Sequence, residues 1–371
     1  MHRKSLFRSD LFPAVALISL GLAACKLGAP TAPSGVSDSG TIAATPVPTA
    51  TPGTGTTTTP YMFVMNGLAK TIDQVDLSTD ALTKSVLTTG LYPNQLASIG
   101  SYDWLVNSGD ATIYKLDLAG HQNLGTINLP TGSNPMTLAP LSSAATEAIV
   151  TNNIAQYVDF VNLSTLALEA TASLPAGHSA GGGLAIADGK AYVAAVTADY
   201  TNYPAVSYTF SGIDVIDLST RSLLKTITMD ATADPLPVQV DPNGKIDVGY
   251  SEGVYIIDPS TDQITQTIDF GTPINSLAFA SASVGYGSAD GDALVSFDPS
   301  TGAIIRDQAH ELKVGDSSVG DIQVFDGKLY VPNFSTSTVT SVDLASEATA
   351  SVCQLTSKSG PQELAFVTAT P

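Results

Sequence analysis

One short string of residues recurs seven times between Val75 and Ser346, and it constrains the fold of this 371-residue chain more than any other feature. It is an apolar run that ends in Asp-x-Ser-Thr or a close variant. The copies read Val75-Asp76-Leu77-Ser78-Thr79, Leu116-Asp117-Leu118-Ala119-Gly120, Val161-Asn162-Leu163-Ser164-Thr165, Ile216-Asp217-Leu218-Ser219-Thr220, Ile257-Asp258-Pro259-Ser260-Thr261, Phe297-Asp298-Pro299-Ser300-Thr301 and Val342-Asp343-Leu344-Ala345-Ser346. Successive Asp or Asn positions lie 41, 45, 55, 41, 40 and 45 residues apart. A period in this range belongs to propeller blades or solenoids, whose units cannot bury their apolar faces alone.

The units read as strands. Their apolar runs are short and β-branched, with Gly, Pro, Asn and Asp between them, which is the composition of strands and turns. An Asp or Asn side chain accepts backbone N–H bonds two residues on, and Pro259 and Pro299 pre-set φ for a turn. The seven positions are therefore expected to be hairpin turns and not a metal-binding array. In the first unit the strands are Tyr61–Asn66, Thr71–Leu77 and Leu82–Thr88, and Asn94–Ile99 opens the next. Opening strands carry a large residue beside a small one, as in Leu96-Ala97, Leu138-Ala139, Leu184-Ala185, Leu277-Ala278 and Leu364-Ala365. That pairing suits inner strands, where blades crowd together. The final strand of this type, Glu363–Thr368, is placed to complete the sheet begun by Tyr61–Thr88. Such closure makes a ring and removes the free edges of an open array. The expected fold is all-β: a seven-bladed β-propeller of four-stranded antiparallel blades over residues 61–371, closed by the C-terminal strand pairing into the N-terminal blade.

These strings resemble the YVTN family of seven-bladed propellers, whose repeat runs approximately Tyr-Val-x-Asn, Val-x-Val-Ile-Asp, Thr-Ile and Gly-x-x-Pro. The likeness is carried by Val64-Met65-Asn66, Val150-Thr151-Asn152, Tyr330-Val331-Pro332-Asn333, Val215-Ile216-Asp217, Lys225-Thr226-Ile227 and the Gly-x-x-Pro runs Gly90–Pro93 and Gly132–Pro135. It covers Tyr61–Pro371 and speaks to fold. Surface-layer proteins, lactonase-like enzymes and cytochrome-linked propellers share it, so it does not choose a function.

The N-terminal part is of another kind. Met1–Arg8 is basic, and Leu11–Leu22 is an apolar run too short to span a bilayer but right for a signal-peptide core. Leu22-Ala23-Ala24-Cys25 then resembles the bacterial lipobox. That resemblance implies a leader over residues 1–24 and acylation of Cys25, and several acyl chains anchor stably where one is marginal. Lys26 follows, without the Asp that marks inner-membrane retention, so the outer membrane is the favoured location, periplasmic or surface side. Residues 25–60 form the lipidated Cys and a Pro/Thr/Ser/Gly-rich linker. Gly28–Pro60 has Asp38 as its sole charge and too little apolar surface to fold.

Acidic residues outnumber basic ones 34 to 15, for a net charge of −19. Such a surface repels nucleic acid and anionic membrane. Nucleic acid is excluded as a partner, membrane contact is expected through the lipid alone, and a monomer is expected. No CxxC or CxxCH occurs, Gly181-Gly182-Gly183 lacks the Lys-Ser/Thr of a phosphate loop, and no nucleophile-elbow motif is present. No cofactor, metal or catalytic residue is therefore assigned. Cys353 reads as a small buried residue.

The candidate site follows from the one unit that breaks the period. Its 55-residue spacing comes from the insertion Ala198–Phe210, rich in tyrosine. Inter-blade loops Pro175–Gly183 and Met229–Pro237 are expected on the same face. The ligand-binding candidates are His178, Asp199, Tyr200, Asn202, Tyr203, Asp230 and Asp234. Exposed aromatics among amides and carboxylates suit a protein, peptide or glycan. The favoured function is a cell-envelope lipoprotein whose propeller binds or scaffolds such an envelope partner; the alternative is a lactonase-like propeller hydrolase.

Overall fold

A computed structural model describes residues 58–153, 155–199, 207–289, 292–315 and 320–369. Among them, seven antiparallel sheets of four strands follow one another around a ring, and the short strand Leu312–Lys313 adds a fifth to one of them. Blade 1 takes its inner strand from the far end of the chain: Pro361–Ala369 lies beside Thr59–Asn66, then Thr71–Asp76 and Ala81–Thr88. Blades 2 to 7 open in order with the inner strands Pro93–Ile99, Pro135–Pro140, Ser179–Ala187, Val238–Val240, Ile274–Ser281 and Gln323–Phe325. Each then runs outward through three more strands. The protein is thus a seven-bladed β-propeller closed through its C-terminal strand. Pairing begins at Thr59, opposite Ala369, two residues ahead of the expected Tyr61. Among the described residues no helix is long and apolar enough to cross a membrane. The leader, Cys25 and the linker up to Thr57 lie outside the described residues.

The core sits between blades. Trp104, Val106 and Ile113 of blade 2 pack with Leu138, Ala148 and Val150 of blade 3. The same arrangement closes the ring, where Met62, Val64 and Leu364 of blade 1 meet Tyr330, Val339 and Cys353 of blade 7. The large-beside-small pairs of the inner strands serve this packing. Gly183 is needed for it, since a Cβ there would strike the Leu236 carbonyl of blade 5. Cys353 is buried, and burial pushes its thiol up to about 12.

The repeated Asp holds the turn between the third and outer strands. Asp76 Oδ1 accepts the Ser78 N–H at 2.8 Å and its hydroxyl at 2.6 Å. Asp217, Asp258 and Asp298 repeat both bonds with Ser219, Ser260 and Ser300. Asp343 bonds Ser346, Asn162 bonds the N–H groups of Ser164 and Thr165, and Asp117 that of Gly120. These bonds hold the carboxyls of Asp76, Asp217 and Asp298 below the usual range. Lys245, at 2.7 Å, takes Asp258 down to about 2. Four residues after each of the seven, the backbone turns left-handed, at Asp80, His121, Leu166, Arg221, Asp262, Gly302 and Glu347.

Candidate functional site

Two faces of the ring differ in their connections. The turn face carries the Asp turns and the links from inner to second strand. The loop face carries the links from second to third strand and those between blades.

Blade 4 departs from its siblings on the loop face. Its second and third strands, Lys190–Asp199 and Ser207–Asp217, have 10 and 11 residues where those of blade 2 have 6 each. Both ends of the expected insertion loop Ala198–Phe210 are strand, because cross-strand pairing continues to Asp199 opposite Ser207. A bulge between Thr197 and Ala198 interrupts it; such irregularities re-aim side chains. Gly181–Gly183, expected in a loop, belong to the inner strand Ser179–Ala187, where Gly183 leaves room for the Leu236 carbonyl of blade 5. Tyr200, Asn202 and Tyr203 lie outside the described residues.

The third strand of blade 4 ties the two flanking loops together. On one side His178 stacks on Phe210, with ring centroids 3.9 Å apart and planes at 14°. Its Nδ1 lies 2.9 Å from Asp214 Oδ2, and Asp214 Oδ1 accepts the Thr226 hydroxyl at 2.6 Å. Asp214 is fully buried and His178 nearly so. On the other side the Tyr208 hydroxyl donates to Asp234 Oδ2 at 2.9 Å. Ser211 donates to the Ala231 carbonyl and accepts the Asp234 N–H. Burial raises Asp234 to about 6, partly offset by the Tyr208 bond. His178 and Asp234 are thereby joined through one strand, while Asp199 and Asp230 are exposed.

Sequence reading missed Asp214 and Thr226. The available signal was a carboxylate inside the apolar run Ile213–Ile216. It also missed the neighbouring hairpin of blade 5, where Tyr250 stacks on Tyr255 at 4.1 Å. Burial, then Tyr255 and the carboxylates of Asp269 and Glu252, push the Tyr250 phenol up to about 12. Burial, Asp230 and Glu252 raise Tyr255.

Charge is segregated across this sector. Lys190, Arg221, Lys225 and Lys245 are ion-paired toward the turn face, with Asp262, Glu147 and Glu169, Asp262, and Asp258 respectively. The loop-face connections 174–178, 229–237, 250–253 and 269–273 contain Asp230, Asp234, Glu252 and Asp269 and no lysine or arginine. Among the described residues no group of three or more His, Cys, Asp or Glu is placed to hold a metal ion. His121, at the turn-face hairpin of blade 2, bonds Gln74 at 2.6 Å, far from this site.

No family profile and no curated protein matches the chain. Solved structures do. The β-propeller domain of Cps50 (Swd1) from Myceliophteria thermophila is 14% identical with a TM-score of 0.55, over 83% of this chain and 100% of that one. Apo AztD from Citrobacter koseri is 13% identical with a TM-score of 0.53, over 85% of this chain and 99% of that one. A second AztD structure from that organism gives 12%, 0.51, 84% and 99%. At such identities the likeness shows the propeller fold alone.

Proposed function

We propose that the chain is a YVTN-like cell-envelope lipoprotein, anchored through Cys25 and the linker to residue 60, whose propeller binds a partner on the loop face of blades 4 and 5. The observation that carries this reading is the lengthened hairpin of blade 4. Propeller loops tolerate insertions, so length alone says little. Here the added length is built into both flanking loops through Phe210–His178 and Tyr208–Asp234. It stands beside a stacked tyrosine pair and an acidic rim. Half-buried aromatics among unbalanced carboxylates favour a protein or peptide segment that carries positive charge, with a glycan as the second occupant.

The test is capture of the partner from crosslinked envelopes, followed by its affinity for purified protein. The double variant Tyr200→Ala/Tyr203→Ala should lose about 2 kcal/mol of binding while melting as wild type does. Equal capture by the double variant places the site elsewhere on the ring. The anchor is tested separately: Cys25→Ala should leave the membrane fraction or go unprocessed. Normal processing and membrane fractionation of that variant overturn the lipoprotein reading.

Among the described residues, the His178–Asp214 pair is the feature that favours a hydrolase. A buried carboxylate that orients an imidazole is the supporting half of a catalytic triad. Turnover of lactones or esters that His178→Gln abolishes would establish that reading over binding.

A further inference from the structure

The second and third strands of blade 5, Ile246–Tyr250 and Gly253–Asp258, meet in a tight turn at Ser251 and Glu252 on the loop face. Register sets what gathers there. Tyr250 pairs with Gly253, and Gly253 pairs in turn with Asp269 of the outer strand. Paired residues point to the same side of a sheet, as does the residue two further along a strand. Tyr250, Tyr255 and Asp269 therefore share one side, and Gly253 puts no side chain between them. That side faces blade 4, since Tyr250 and Tyr255 pack with Ile213, Met229 and Ala233. The link from blade 4 is tied to the same turn. The Ser251 N–H donates to the Ala233 carbonyl at 2.8 Å, and the Ala233 N–H to the Asp230 carbonyl at 2.9 Å. The Glu252 carbonyl accepts the N–H groups of Phe270 and Gly271. The loop-face end of the crevice between blades 4 and 5 thus gathers two phenols and the carboxylates of Asp230, Glu252 and Asp269.

Its polar groups are unmatched from within. Tyr250 is 6% exposed, and its hydroxyl is part of what stays open to solvent. Among the described residues neither phenol hydroxyl has a hydrogen-bond partner. A phenol buried to its tip usually finds one. This one is held by its stack on Tyr255 and presents its oxygen at the mouth of the crevice. Asp230 and Glu252 are exposed and form no ion pair among the described residues, and Asp269 bonds the Gly271 N–H at 2.8 Å. After burial, and for Tyr250 the neighbouring Tyr255, these carboxylates push both phenols up. The phenols therefore keep their protons at neutral pH. Among the described residues the acids are not placed to hold a metal ion. A cation that brings several donors of its own can reach acceptors set farther apart.

We propose that this end of the crevice is the subsite for an arginine side chain of the partner, whose guanidinium donates to the phenol oxygens of Tyr250 and Tyr255 and is neutralised by Asp230, Glu252 and Asp269. The proposal rests on the loop-face binding reading above and is independent of the anchor. A guanidinium carries five N–H donors in one plane and meets phenol oxygen and carboxylate at once. The ammonium of lysine is compact and more strongly hydrated, so it gives up more water for the same contacts. The exposed acids steer the cation in, and the phenols fix its position.

The whole protein with ring-labelled tyrosine, titrated by NMR with the capped peptide acetyl-Gly-Arg-Gly-amide and its lysine and citrulline counterparts, tests this. The arginine peptide should move the Tyr250 and Tyr255 signals, which Tyr250→Phe and Tyr255→Phe assign. The lysine peptide should bind roughly threefold more weakly, and the citrulline peptide, which lacks the charge, should leave both signals in place. Tyr250→Phe and Glu252→Gln should each weaken the arginine peptide roughly fivefold. Both variants should melt as wild type does, because neither the hydroxyl nor the exposed carboxylate has a partner in the fold. An arginine peptide that moves neither signal overturns the proposal. So does a lysine or citrulline peptide that binds as well, or arginine binding that neither substitution weakens. A partner captured from envelopes whose affinity both variants retain sinks this subsite alone. Failure of wild type to capture any partner sinks the binding reading itself.

Discussion

Asp217 and Asp214 sit three residues apart on one strand of blade 4 and do opposite kinds of work. Asp217, on the turn face, bonds Ser219 and Thr220 within its own hairpin. Six siblings occupy the same place in the other blades, and each carboxylate or amide finds its turn partners within a few residues. Asp214 reaches His178, 36 residues earlier and in the loop that enters the blade. The turn face repeats because every blade needs the same reversal. The loop face varies because its contacts are made between blades, where a departure in one leaves the rest of the ring intact. Repetition marks what folds the ring, and the exceptions mark where a partner would read it.

The largest test breaks the ring that both faces share. Deleting residues 361–371 strips blade 1 of its inner strand, and with it Leu364 from the closing core and the Gln362 carbonyl that accepts the Asp321 N–H. Cooperative melting should be lost, or its midpoint should fall by more than about 10 °C, with aggregation through the exposed edge. A monomeric deletion variant with an unchanged melting curve would argue for an open array.

The next test falls on the loop face. Asp214→Asn keeps the shape and removes a buried charge that holds both His178 and Thr226. It should cost about 2 kcal/mol by urea titration and weaken partner capture, because His178 loses the group that holds it under Phe210. Unchanged capture would detach the dyad from the site.

On the turn face, Asp217→Ala removes one Asx turn of seven. The expected loss is a small drop in melting temperature, below that of Asp214→Asn, with capture unaltered. If capture falls as it does for Asp214→Asn, the two faces are not independent.

The smallest effect is a pH dependence. Asp234 sits near 6 in the folded protein, above its ordinary 3.8. Its contribution to stability is complete below about pH 4 and lost as pH rises through 6. Asp234→Asn should flatten that part of the melting profile and raise the melting temperature at pH 7.5 by about 2 °C, since the Tyr208 hydroxyl can donate to the new amide oxygen. An unchanged slope between pH 4 and 7 would mean that the carboxyl is better solvated than its burial implies.

Much of this was legible in the residues, for a local reason. An Asx turn is decided within four residues, so seven copies of Asp-x-Ser-Thr announced seven hairpins, and their spacing announced blades. The circular closure was legible as well, because Glu363–Thr368 carries the inner-strand pattern and Tyr61–Asn66 the second-strand pattern. The candidate site was legible only as a departure. The long spacing pointed to blade 4, and His178 and Asp234 do converge on its third strand. Tyr208 and Phe210 were noticed as loop residues and proved to be strand residues, since alternation is hard to read where tyrosines, serines and threonines mix.

By itself, then, the sequence determined blade number, strand order within a blade, the turn chemistry and the point of closure, all of which rest on contacts short along the chain or on repetition. Only the tertiary structure decided which distant side chains meet. His178 finds Asp214, Gln95 finds the Leu138 N–H, and Ser276 finds Asp321 because closing a ring of seven sheets brings inner strands side by side. Those contacts depend on the angle and distance between blades, which packed side chains set collectively and no single stretch of residues encodes.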